Sequence, residues 1–184
     1  ASPDQIQKIF PKSLYENKFG TVVVDTGSQD PRLKEIEITT YRVEEKYTDK
    51  RHPDVVKFSG RVEDDLARRD FTINAIAWDG EKFIDPFDGQ KDIKGKLIRA
   101  VGDPRKRFDE DSLRLMRVVR IGTQLGFAIE ENTVSALKEN ARDIAVVSHE
   151  RIRDELVKII ASRNAKKGIE ALSELGLLRH IMPE

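Results

Sequence analysis

The stretch Asp65-Leu-Ala-Arg-Arg-Asp-Phe-Thr-Ile-Asn-Ala-Ile-Ala-Trp78 decides how the rest of the chain is read. From Phe71 to Trp78 apolar and polar residues alternate and β-branched and aromatic side chains dominate, which predicts a half-buried strand. Arg68, Arg69 and Asp70 stand at the mouth of that strand. Charges in such a place must be solvated or paired, so they do little for stability. Two guanidiniums do suit a polyanion, because each offers a planar fork of donors that matches phosphate. The plainer reading of the same three residues is a surface ion cluster at a loop-to-strand junction.

Upstream of this stretch, Ser2, Pro3 and Asp4 precede Ile6, Ile9 and Phe10, the pattern of a short capped helix. Phe19 to Asp25 reads as a buried strand, residues 26–31 as a turn, and Lys34 to Tyr41 as an alternating strand that closes a hairpin. In that second strand Ile36 and Ile38 point one way and Glu35, Glu37 and Thr39 the other. Residues 42–63 are polar and show little periodicity. Read from composition alone they are a surface excursion, longer than most connections inside a domain.

Downstream, Asp79-Gly80 predicts a tight turn between the central strand and Lys82-Phe-Ile-Asp85. Asp85 to Gly89 is a further turn, held by Asp85 and Asp88, and Asp92 is read in the same way. Ile93 and Leu97 to Val101 form a short final strand, which Gly102-Asp-Pro104 ends. From Phe108 the apolar spacing becomes helical. Leu113, Met116, Val119 (or Val118), Ile121 and Leu125 form one stripe, with Gly126 as its stop. Asn132 caps a helix bearing Val134 and Leu137, Ser148 caps one bearing Ile152, Leu156 and Ile159, and Ala165 to Leu175 form the last. Asp111 and Arg114 stand three apart and so share a helix face, which Arg117 and Arg120 extend. Read alone, that row is an ion pair on a solvated surface. Strands followed by helices predict an α+β chain that changes character near residue 102.

Composition bounds the function classes. Of 184 residues 36% are charged, yet Lys+Arg and Asp+Glu both number 33, so any nucleic-acid contact must come from local patches. There is no cysteine, which excludes disulfides and thiolate metal sites and agrees with a reducing, cytoplasmic setting. His52, His149 and His180 lack zinc spacing, and no apolar run reaches membrane-spanning length.

Four motifs then occur in one order: Arg-Arg-Asp-Phe-Thr-Ile-Asn-Ala (68–75), Asp-Pro-Phe-Asp-Gly-Gln-Lys-Asp-Ile (85–93), Glu-Asp-x-x-Arg-x-x-Arg-x-x-Arg (110–120) and Ser-His-Glu-Arg-Ile-Arg-Asp-Glu-Leu (148–156). Their order and spacing resemble the bacterial-type (class II) tRNA nucleotidyltransferases, or CCA-adding enzymes, and the related bacterial poly(A) polymerases. The resemblance implies an α+β fold: an antiparallel or mixed sheet of a nucleotidyltransferase head over residues 1–102, then an all-helical nucleotide-recognition neck over 103–184, with the RNA-binding body mostly absent. The family's Gly-Gly loop and Asp-x-Asp strand do not occur in this sequence, and Ala1-Ser-Pro-Asp-Gln-Ile resembles the helix that follows that pair. The expectation is a fragment, active only with an upstream segment that is cleaved or supplied by a second chain.

The resemblance also implies roles. Glu37 is what remains of the catalytic carboxylates, and the main metal ligands lie upstream. An arginine of the Arg68-Arg69 pair contacts the triphosphate, while Asp70 and Asn74 bind ribose hydroxyls or hold the arginines in place. Asp111 and Arg114 read the base of the incoming nucleotide without a nucleic-acid template, Arg117 and Arg120 sit near its triphosphate, and Glu110 orients Arg114 or caps the helix start. Residues Tyr47 to Pro53 match a family loop that helps the enzyme switch to adding A. Ser148, Glu150 and Arg151 brace the nucleotide-reading helix. Lys166 and Lys167 are candidate RNA-facing charges, or simply solvated. The implied activity is transfer of CMP and AMP from CTP and ATP, with Mg2+, to the 3′ end of tRNA in the cytoplasm. The alternatives are a poly(A) polymerase or A-adding tRNA nucleotidyltransferase and, from another class, a non-catalytic RNA-binding module.

Overall fold

A computed structural model describes residues 1–15 and 19–182. Its packing divides into two compact units, one of residues 1–44 with 55–65, the other of residues 45–54 with 66–184.

The first unit opens with α1 (Pro3–Ile9), whose start is a full capping box: the Gln5 amide donates to Ser2 Oγ (3.3 Å) and the Ser2 amide to Gln5 Oε1 (2.8 Å). Strands β1 (Ser13–Tyr15), β2 (Thr21–Asp25) and β3 (Glu35–Thr39) make an antiparallel sheet in that order. The register sets Val22 opposite Ile38 and Val23 opposite Glu37. Ile6, Val22 and Val24 form a small core on which Ile38 packs. Strands β4 (Arg42–Glu45) and β5 (Val55–Phe58) pair as a ribbon. The aperiodic segment after residue 42 is therefore an ordered hairpin rather than a plain surface excursion. Its tip is specified by side-chain acceptors instead of apolar spacing. The amides of Arg51 and His52 donate to Asp49 (2.9 and 2.7 Å), Thr48 Oγ1 donates to Asp54 (2.8 Å), and Lys46 and Lys50 take left-handed backbone angles.

Helix α2 (Val62–Ala67) leads into the central stretch, where the predicted strand is replaced by a 3-10 turn over Thr72–Asn74. The cause lies at Asp70. Its carboxylate accepts from the Phe71 amide (2.8 Å) and from Asn74 Nδ2 (3.0 Å), so a local polar hook coils the backbone that alternation alone would have extended. Phe71 stays extended and bridges Ala100, and β6 (Ala77–Trp78) pairs with β7 (Phe83–Ile84) through the expected Asp79-Gly80 turn. Ile93 falls in α3 (Gly89–Gly95), not in a strand. Of residues 97–101 only β8 (Leu97–Ile98) is a strand, and it pairs in parallel with β9 (Ala128–Ile129), a strand inside the half read as wholly helical.

The helices are α4 (Pro104–Glu110), α5 (Arg114–Leu125), α6 (Glu131–Asn140), α7 (His149–Ile160), α8 (Ala165–Glu174) and α9 (Leu178–Ile181), with a 3-10 segment at Ala141–Val146. Glu130, not Asn132, caps α6, accepting from the Thr133 amide (2.8 Å). Gly126 ends α5 in the left-handed conformation, as its position predicts. The apolar stripe of α5 (Leu115, Met116, Val118, Val119) is buried against Leu137, Ile144, Ile159 and Leu172, and Phe71, Ile98 and Phe108 belong to the same core. Residues 66–102 are thus packed with the helices, so compactness follows a different line from the change of periodicity at 102.

Gly168 on α8 lies at a tight point of this core. A Cβ there would lie 2.5 Å from Ile159 Cγ2 and 2.9 Å from the Thr123 side chain. In a free helix Gly→Ala stabilises by about 1 kcal/mol. Here Gly168→Ala is expected to destabilise by about 1–3 kcal/mol, because the core must move to admit the methyl group. A urea midpoint that falls, with an unchanged slope, is the outcome to look for.

Candidate nucleotide-binding site

The turn over Thr72–Asn74, the length of α5 and Arg151 of α7 line a cleft of about 800 Å3 within the second unit. Arg68, Arg69, Arg114, Arg117, Arg120 and Arg151 line it, with Asp70 and Asp111 as its two acids and Ile73, Leu113, Ile121 and Leu125 as an apolar wall. A chain with no net charge therefore concentrates guanidiniums in one place, where a polyphosphate would be drawn and held. Every nucleotide-binding residue read from the sequence lines this cleft. Glu37 belongs to the first unit, exposed on β3, and does not line it.

The acids and arginines are held in a fixed lattice. Arg117 donates from Nε (2.8 Å) and Nη2 (2.6 Å) to one oxygen of Asp70, whose other oxygen takes the Phe71 amide and the Asn74 side chain. Burial alone would push the Asp70 carboxyl up, but the charge of Arg117 and these hydrogen bonds outweigh it and hold it below the usual range. Arg69, exposed on the rim, donates to the Asn74 carbonyl (3.2 Å).

Asp111 and Arg114 meet the cleft differently from the shared helix face that their spacing suggests. Asp111 is extended (φ −145°, ψ 104°) and ends α4, while Arg114 is the first residue of α5. The Asp111 carboxylate accepts from the Leu113 amide (3.1 Å) and from Arg151 Nη2 (3.2 Å). The turn that breaks the helix is therefore built by Asp111 itself. Arg114 donates to Glu110 (2.7 Å) and to the carbonyls of Arg107 (3.0 Å) and Arg68 (3.0 Å). Glu110 also takes Arg107 Nη2 at 2.5 Å, so one buried carboxylate bridges two guanidiniums and orients Arg114, one of the two roles expected of it. Arg120 pairs with Glu155 and donates to Gln124 (2.8 Å).

Arg151 was legible only as a brace for the helix, yet it both lines the cleft and fixes Asp111. The signal for it is charge spacing on α7: Arg151 and Glu155 stand four apart and share a face, and they meet Asp111 and Arg120 respectively. Gln124 and the apolar wall carried no sequence signal beyond the helical stripe. Ser148 stands at the start of α7 with extended angles but without a side-chain cap bond. Among the described residues no three His, Asp or Glu side chains gather as a metal site.

Two family profiles match the chain, one described as "Poly A polymerase head domain" over residues 1–99, the other as "Probable RNA and SrmB- binding site of polymerase A" over residues 126–184. The chain belongs to the bacterial-type CCA-adding enzyme and poly(A) polymerase family. Among curated members, the CCA-adding enzyme of Ligilactobacillus salivarius (strain UCC118) is 44% identical over 183 residues, 98% of this chain and 44% of that protein. The solved structure of the Bacillus stearothermophilus CCA-adding enzyme in complex with CTP superposes with a TM-score of 0.84 at 40% identity, over 96% of this chain and 42% of the other. That of the Thermotoga maritima CCA-adding enzyme complexed with tRNA_CCA gives 0.76 at 26% identity, over 98% and 40%. The chain thus spans less than half the length of the family members it matches. Among the described residues no helix is long and apolar enough to cross a membrane.

Proposed function

We propose that the protein carrying this chain is a template-independent RNA nucleotidyltransferase that adds CMP and AMP, from CTP and ATP, to the 3′ end of tRNA. In that reaction the terminal 3′ oxygen bonds to the α-phosphorus, the bond from that phosphorus to the β-phosphate bridge breaks, and pyrophosphate leaves while the hydroxyl proton is lost. The observation that carries the reading is the juxtaposition, in one arginine-lined cleft, of an acid and a guanidinium on either side of a helix break. Asp111 supplies acceptor oxygens and Arg114 donor nitrogens, and both are held by neighbours so that little entropy is lost on binding. Such a pair can take the place of a template base. Asp70 and Asn74 then face the ribose, and the arginines of the 3-10 turn and α5 the phosphates. Residues 1–102 act as the remainder of the head, with Glu37 as its carboxylate, and residues 103–184 as the reading neck. The resemblance of the relatives, among them CCA-adding enzymes solved with CTP and with ATP, supports this assignment.

The test is incorporation by the intact protein onto tRNA lacking its 3′ CCA. CTP and ATP should be used in turn and UTP rejected. Asp111→Ala should narrow the preference for CTP over UTP by about 10–100-fold, since a well-placed polar pair discriminates bases by roughly 1–3 kcal/mol. UTP rejection that survives in both Asp111→Ala and Arg114→Ala removes the template-mimic role. Long tails made from ATP alone would identify a poly(A) polymerase instead. Nucleotide or RNA binding without incorporation would identify a binding module.

A further inference from the structure

Asp92 is 3% exposed and lies outside the cleft lining, yet its carboxylate is fully engaged. It accepts from Thr72 Oγ1 (2.7 Å) and from Arg99 Nε (3.0 Å) and Nη2 (3.1 Å). Thr72 is itself buried, and its amide donates to the Arg99 carbonyl (3.0 Å). Helix α3, which carries Asp92, is started by Asp85, whose carboxylate takes the amides of Gly89 (2.7 Å) and Gln90 (2.9 Å). The helix is pressed so close to the 3-10 turn that a Cβ at Gly89 would lie 2.2 Å from the Thr72 carbonyl oxygen. No side chain fits there, which explains why the residue is glycine.

Burying an ion pair costs desolvation that its attraction barely repays, and well-packed apolar residues would hold the same space as firmly. The Asp92 cluster does something apolar residues cannot: it fixes the direction of one hydroxyl, and with it the turn whose two flanks are Asp70 and Asn74. We propose that Asp92, acting through Thr72 and Arg99, is a positioning residue that sets Asp70 and Asn74 for recognition of the nucleotide ribose. The proposal rests on the reading of those two residues given above.

The experiment compares kcat/KM for CTP and dCTP in the intact protein. Asp70→Asn calibrates it and must collapse the ribo-over-deoxy ratio. A ratio that Asp70→Asn leaves intact overturns the ribose reading, and the proposal falls with it. Thr72→Val removes only the hydroxyl that meets Asp92. It should cut the ratio about tenfold, the effect of one lost hydrogen bond, mainly through KM for CTP. Thr72→Ser, which keeps the hydroxyl, should restore it. Arg99→Met serves if Thr72→Val does not fold: the Arg99 side chain is 44% exposed, and its loss takes from the Asp92 carboxylate the charge that holds it on Thr72. A wild-type ratio in Thr72→Val or Arg99→Met, alongside a collapsed one in Asp70→Asn, overturns the positioning role and leaves the ribose reading standing.

Discussion

Glu110→Ala is expected to destabilise the protein by about 3–5 kcal/mol, the cost of breaking a buried ion pair by removing one partner. Its carboxylate lies between Arg107 Nη2 and Arg114 Nη1, at 2.5 and 2.7 Å, and the three side chains are only 9–11% exposed. Removing it leaves two guanidiniums in a place that solvent barely reaches. The carbonyls of Ala67, Arg107 and Arg68 continue to accept from them but carry no compensating charge. Glu110→Gln is the informative companion, because the amide can still accept one hydrogen bond in the same volume. It should recover part of the stability but let Arg114 drift, so that base selectivity falls further than the melting temperature does. Denaturant unfolding of both variants, set beside their CTP-over-UTP preference, separates the two effects. If Glu110→Ala unfolds with the wild-type midpoint, the carboxylate is not the keystone its contacts make it.

The second large effect is at Asp70. Asp70→Asn removes the counterion of Arg117 and is expected to cost roughly 2–3 kcal/mol, less than a fully buried pair because the Arg117 side chain is 33% exposed and partly screened. The loss should depend on pH, with a sign that follows from the direction of the shift. The folded-state carboxyl is held below its ordinary value, which is about 3.9 in an unfolded chain. Its contribution is therefore complete above about pH 4 and fades as the pH falls through the lower, folded value. Wild type and Asp70→Asn should differ most at neutral pH and converge in acid. Parallel stability curves from pH 7 to pH 2 would remove Asp70 from the acid-sensitive groups.

Much of this molecule is legible in its order of residues, and the exceptions have physical causes. The helix cap at Ser2, the hairpins at β2–β3 and β6–β7 and the stop at Gly126 are local events set by neighbours in sequence, and each forms as expected. Phe71 to Trp78 misleads because Asp70, just before it, and Asn74, within it, form a local side-chain hook that takes the Phe71 amide. β9 has no local signal, since its partner β8 lies in another part of the chain. The site shows the same division. Motif spacing gathers the arginines and acids that line the cleft, but it cannot show that Asp111 breaks the helix or that Arg151 reaches it. Those facts belong to a turn and a packing contact, not to a period.

The contacts that complete the cleft join residues far apart along the chain: Arg117 to Asp70 across 47 positions, Arg114 to Arg68 across 46, Arg151 to Asp111 across 40. Loops of that size close late, after local helices and hairpins have formed. As the polypeptide leaves the ribosome, Asp111 emerges well before the guanidinium that will steady it. The full set of side-chain contacts around the cleft and the final tertiary structure therefore arrive in the same step.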